Sequence, residues 1–148
     1  MIYTDIWQKV LSEKEKVLYE FSVSGNYSKT YLIIWGVISV PLLFIFGLGL
    51  ITFIVALIYY GFYLKKSNAY AFTNKRILVH KGLLSTNTIS VDYNKITDVT
   101  ISEKFFDKIL TKTGSLFINT AGTTFQEIVL THIDKPYQVK KKLDEIRK

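Results

Sequence analysis

The chain has no cysteine among its 148 residues, which excludes disulfides, thiolate metal sites and cysteine nucleophiles. Histidine occurs twice. A zinc site needs more ligands than His80 and His132 supply, so both are expected on strand surfaces. Arginine is scarce as well, with only Arg76 and Arg147. No Arg-rich or RNP-like pattern supports a nucleic-acid partner. The sequence also lacks G-x-S-x-G, a phosphate loop and a paired-carboxylate motif. Gly47-Leu48-Gly49 has neither the third glycine nor the strand–helix setting of a dinucleotide fingerprint. These absences predict no enzyme, no metal and no cofactor. The first thirty residues are charged and carry no cleavage pattern, so no removable signal peptide is expected.

Charge is also missing, over a long stretch. Tyr31 to Leu64 is 34 residues without Asp, Glu, Lys, Arg, His, Asn or Gln. Eighteen or more such residues indicate a membrane span. A single straight helix of that length would be about 51 Å, against roughly 30 Å of hydrocarbon. Gly47 and Gly49 at the centre suit a reversal, which divides the run into arms of Tyr31–Phe46 and Leu48–Leu64. The polar-tipped aromatics agree. Tyr31 and Trp35 open the run, Tyr59, Tyr60 and Tyr63 close it, and such rings favour the water–lipid boundary. A re-entrant tip is the competing reading. Lys14, Lys16 and Lys29 precede the run, Lys65 and Lys66 follow it, and the tip is uncharged. By the positive-inside rule both termini face the cytoplasm of a two-pass plasma-membrane protein. The first arm is then expected to be its own uncleaved insertion signal.

The rest divides into a segment 1–30 and a domain 65–148. The net charge of +7 falls entirely on the second, since four lysines balance four carboxylates in the first. A basic surface beside an anionic leaflet is attracted by about 1 kcal/mol per nearby Lys or Arg.

In the first segment, Ile2, Ile6 and Val10 recur at helical spacing, with Trp7 either at the membrane or on the domain. Ser12-Glu13-Lys14-Glu15 has the form of a capping box. Val17 to Val23 alternates like a strand that can pair with the edge of the later domain. From Ala69 onward short β segments follow: Ala69–Thr73, Arg76–Lys81, Thr88–Tyr93 and Ile96–Ser102. A helical turn is expected over Phe105–Leu110. Leu116–Thr120 and Glu127–Thr131 then pair across a turn at Ala121-Gly122. Such regular turn signals indicate a small antiparallel sandwich or barrel. Asp134 is expected to cap a final helix, with Pro136 in its first turn and Val139, Leu143 and Ile146 as its apolar stripe.

Several stretches then resemble the bacterial membrane-anchored PH-like (pleckstrin-homology-like) domain proteins. These are the hairpin followed by Tyr70-Ala71-Phe72-Thr73-Asn74-Lys75-Arg76-Ile77, then His80-Lys81-Gly82-Leu83 and Ile96-Thr97-Asp98-Val99. Gly114 to Gly122 and the upstream Glu15-Lys16-Val17-Leu18 add to the match, which covers roughly residues 13 to 131. The resemblance implies two transmembrane helices followed by a PH-like barrel, acting as a scaffold without a reaction of its own. The expected fold is therefore a membrane α-helical hairpin plus a mainly-β PH-like barrel with a C-terminal helix.

The candidates for lipid or phosphate contact are Lys65, Lys66, Lys75, Arg76, Lys81, Lys140 and Lys141. Most have a plainer reading. Lys65 and Lys66 are the stop after the second arm, Arg76 can pair with Asp98 or Asp92, and Lys140 and Lys141 belong to a solvated helix face. The membrane-interface anchors are Tyr31, Trp35, Tyr59, Tyr60 and Tyr63. The expected function is a non-enzymatic, membrane-tethered interaction module whose partner is a membrane protein or a second copy. The alternatives are a sensor of anionic lipid headgroups and a small accessory subunit of a membrane enzyme or transporter.

Overall fold

The first and second strands are neighbours in space, although the whole hydrophobic run lies between them in sequence. The computed structural model describes residues 3–45, 47–121 and 128–147. Ile2, Phe46, Gly122, Glu127 and Lys148 lie outside the described residues. One four-stranded antiparallel sheet is ordered β1 (Val17–Ser22), β2 (Asn68–Thr73), β3 (Arg76–Lys81), β4 (Asn87–Asp92). A three-stranded sheet joins β5 (Ile96–Ser102), β6 (Thr113–Thr120) and β7 (Ile128–Asp134). The residues before the hairpin and those after it thus share one sheet. Phe21 faces Tyr70 across the β1–β2 ladder, and the hairpin is an insertion in the β1–β2 connection.

The inner faces meet in one core. Tyr70 and Phe72 of β2 and Ile77 and Val79 of β3 pack with Leu116, Ile118, Leu130 and Ile133. Successive strand residues alternate between faces, so Ala69, Ala71 and Leu78 point the other way. Two alanines there leave room for a large ring, and Trp7, fully buried, fills it. The amino-terminal helix α1 (Thr4–Trp7) therefore lies on the domain, which settles the alternative left open for Trp7. Its indole Nε1–H donates to Glu20 Oε1 at 3.3 Å.

Two local expectations are corrected. Ser12 to Glu15 starts no helix and forms a turn, in which Glu15 Oε2 accepts the Ser12 N–H at 2.9 Å. The carboxylate also binds Arg76 and Thr73, which fixes the chain's entry into β1. Nor does Asp134 cap the last helix, because it stays in β7 opposite Thr113. The carbonyl of Lys135 accepts from the Gln138 and Val139 N–H groups instead. Helix α4 (Pro136–Arg147) follows, with Val139 and Leu143 buried on the core.

The hairpin consists of α2 (Gly25–Leu42) and a continuous helical stretch α3 (Leu48–Ser67). Gly47 sits at the reversal with φ +72°, a conformation open to glycine at no steric cost. Gly49 lies where the helices touch, and a Cβ there would come within 2.1 Å of the Ser39 carbonyl oxygen. The Ser39 and Thr52 hydroxyls lie 3.1 Å apart beside it. Among the described residues only α3 is long and apolar enough to cross a membrane. Helix α2 falls short because Gly25 to Thr30 is polar, which leaves an apolar length of about 18 Å from Tyr31 to Leu42. Two full crossings are not shown.

Candidate functional site

Where the hairpin meets the domain, each contact follows from a named residue. Ser24 caps α2 by accepting the Asn26 N–H on its hydroxyl at 3.2 Å. The Ser24 N–H donates to the His132 carbonyl at 2.8 Å, which ties the start of the hairpin to β7. His132 has φ +51°, a left-handed conformation unusual for a side chain with a Cβ. Its imidazole stacks on Tyr27 with ring centroids 3.8 Å apart. Its Nδ1 lies 3.6 Å from Asp107 Oδ2. Burial pushes the imidazole below its ordinary value; Asp107 opposes that and Lys104 adds to it. His132 is thus a half-buried wedge at a joint, not the strand-surface residue expected.

The aromatic anchors gather at this end. Tyr27 and Tyr31 lie 4.5 Å apart, Tyr31 stacks on Tyr60 at 5.6 Å, and Tyr59 lies 5.7 Å from Tyr63. Both arms therefore present their polar-tipped rings at one level. Trp35 joins Tyr59 and Tyr60 in lining an apolar groove of about 310 Å³ between the helices.

The basic candidates do not form one patch. Lys65 and Lys66 occupy the last turn of α3, directly before β2. Lys81 faces Asn68 across the ladder, so it belongs to the same end. Burial lowers its amine below the ordinary value. Lys75 and Arg76 sit at the far end of β2, which at six residues is roughly 20 Å long. There Arg76 pairs with Glu15 at 2.9 Å, not with Asp98 or Asp92, and the Lys75 amine reaches the Glu13 carbonyl. Lys140 and Lys141 lie along α4, the first half-buried and the second exposed.

Four further lysines gather at the hairpin end. Lys108, Lys112 and Lys135 border a cleft of about 380 Å³ with Glu103 and Tyr137, and exposed Lys104 precedes them in the β5–β6 connection. Lys112 and Lys135 both have left-handed φ, +54° and +46°. No sequence pattern joins residues 104–112 to 135; only the pairing of Thr113 with Asp134 does. Among the described residues, no group of three or more His, Asp or Glu side chains is placed to hold a metal.

Comparisons with known proteins agree with this architecture. No curated protein matches the sequence. Two crystal structures resemble the fold over 98% of this chain, each with a TM-score of 0.54. One is a protein with a pleckstrin-homology domain from Shewanella loihica, 12% identical and covered over 93% of its length. The other is a pleckstrin homology domain from Shewanella amazonensis, 11% identical and covered over 85%. At such identities the likeness establishes the fold alone, a mainly-β PH-like architecture with antiparallel sheets and a C-terminal helix. The family description "Bacterial PH domain" matches residues 29–147, most of the chain and both sheets but for β1, and no catalytic family is indicated: the chain belongs to the bacterial PH domain family.

Proposed function

We propose that this protein is a non-enzymatic, membrane-tethered PH-like interaction module, with the hairpin in the plasma membrane and both termini in the cytoplasm. The observation that carries this reading is the apolar surface that the hairpin leaves uncovered. Phe44 is 89% exposed, Val37 68% and Ile33 67%, with Leu50, Ile51, Val55, Ile58 and Phe62 exposed beside them. Full burial of each such side chain is worth about 1.5–3 kcal/mol, and soluble chains rarely leave a patch this large in water. The short apolar length of α2 is accommodated by local thinning of the bilayer and by the flanking Tyr belt. Lys65 and Lys66 suit the cytoplasmic boundary.

The domain then hangs at the inner leaflet, with β1 and β4 as the edges of the larger sheet. Strand β4 is mostly exposed, and an open edge recruits strands from a second copy or a membrane-protein partner. The test is alkaline carbonate washing of membranes that contain the full chain. The protein is expected to stay with the membrane pellet and to leave it only in detergent. Release by carbonate overturns the reading.

A further inference from the structure

The connection between β5 and β6 holds four large apolar side chains in water. Phe105 is 70% exposed, Phe106 68%, Ile109 59% and Leu110 48%. They are not on a loose loop. The Asp107 side chain is buried, and the Thr111 hydroxyl donates to the Asp107 carbonyl at 2.7 Å. Thr111 and Thr113 share a second hydroxyl contact at 2.7 Å, and the Lys108 N–H closes a turn onto the Lys104 carbonyl at 2.8 Å. The two Phe rings meet edge-on at 5.5 Å. A rigid turn, pinned through its polar residues, therefore points its apolar residues outward.

Its position supplies the reason. Helix α2 packs against the turn at Asp107–Thr111. Asp107 also faces His132, which stacks on Tyr27 at the foot of the hairpin. The apolar tip thus lies beside the tyrosine belt, and lysines interleave it: Lys104, Lys108 (67% exposed, 3.7 Å from Glu103) and Lys112, with Lys135 across the cleft. Apolar side chains ringed by cations are complementary to the boundary of an anionic bilayer, where rings and aliphatic groups enter and ammonium groups meet phosphate.

We infer that Phe105, Phe106, Ile109 and Leu110 form an interfacial wedge that enters an anionic leaflet beside the hairpin, with Lys104, Lys108, Lys112 and Lys135 on the headgroups. The wedge is a second attachment, and with it the domain cannot swing freely about the hairpin. This inference rests on the membrane reading of the hairpin given above.

The absence of cysteine permits a clean test. Single variants Phe106→Cys, Ile109→Cys, Phe53→Cys and Asn94→Cys of the full chain carry a bimane label in vesicles of phosphatidylcholine and phosphatidylglycerol. Lipids bearing a shallow or a deep nitroxide act as quenchers. The labels at 106 and 109 are expected to be quenched at least twofold more by the shallow nitroxide than the label at 94, at the far β4–β5 turn. The label at 53 responds to the deep nitroxide. Pure phosphatidylcholine, or the triple change K104Q/K108Q/K112Q, is expected to halve the shallow quenching at 106. Quenching at 53 together with 106 and 109 no different from 94 overturns the wedge alone, whether those labels face water or a protein partner. Equal quenching in neutral and anionic vesicles overturns the role of the lysines. Loss of quenching at 53 overturns the membrane reading and the wedge with it.

Discussion

Arg76 Nη2 lies 2.9 Å from Glu15 Oε2, and the Arg76 Nε–H donates to Glu15 Oε1 at 3.0 Å. This two-pronged pair joins the turn before β1 to the start of β3, across the whole helical hairpin in sequence. The Glu15 side chain is fully buried, and Thr73 donates a further hydroxyl bond to it at 2.8 Å. The pair is one of the contacts that hold the two flanks of the insertion as one domain.

Removing one partner leaves a buried charge without compensation. Arg76→Ala is expected to lower stability by about 3–5 kcal/mol, measured by denaturant unfolding in detergent. The double variant Glu15→Gln with Arg76→Met is expected to recover much of that loss. A loss below 1 kcal/mol in Arg76→Ala contradicts the account.

The same pair sets an acid limit. Burial alone would raise the Glu15 carboxyl, but Arg76, the Ser12 N–H and the Thr73 hydroxyl outweigh it and hold it at about 2. A carboxyl depressed in the folded state stabilises above its ordinary value of 4.5, and that contribution disappears as pH falls toward 2. It is on the order of 3 kcal/mol. Glu15→Gln is expected to flatten the stability profile between pH 4.5 and 2.

His132 acts in a separate window. Its imidazole is held below the ordinary 6.5, so the folded state favours the neutral ring and stability declines as pH falls below that value. Melting temperatures from pH 7.5 to 5.5 are expected to drop in the native chain and to stay nearly level in His132→Phe, which keeps a ring against Tyr27. The same drop in both contradicts the assignment of the effect to His132.

The helix contact at Gly49 is equally testable. A methyl group there meets the Ser39 carbonyl at 2.1 Å and the Leu43 nitrogen at 2.5 Å, both backbone atoms that yield only if the helices part. Gly49→Ala is expected to cost about 1–3 kcal/mol and to slow disulfide formation between cysteines at Trp35 and Val55, which border the inter-helix groove. Unchanged cross-linking contradicts the close approach.

Much of the β architecture is legible from alternation alone. Phe72, Ile77, Val79 and Leu116 are apolar at the right period and fill the core, and Val17 to Val23 reads as a strand able to pair with the edge of the later domain, an edge that proves to be β2. What alternation does not carry is partnership across distance. That Ala69 and Ala71 are small because Trp7 lies on them needs the sheet to be assembled first. Arg76 faces Asp92 across the β3–β4 ladder, yet the turn at Ser12–Glu15 brings the Glu15 carboxylate onto its guanidinium. The apolar run marks the hairpin but not the bounds of α2, which begins at Gly25, ahead of the run, and ends at Leu42; its first turns are polar where Ser24 and Tyr27 meet His132 of β7. The junction lysines are hidden for the same reason: residues 104–112 and 135 meet only through the register of β6 with β7.

The topology we propose has the hairpin across the bilayer and the domain inside. Cysteine accessibility in spheroplasts tests it, with Phe44→Cys at the exposed tip and Asn94→Cys at the far end of the domain. A membrane-impermeant maleimide is expected to label position 44 in intact spheroplasts and position 94 only after lysis. Labelling of position 94 before lysis, or failure to label position 44 until lysis, contradicts the account.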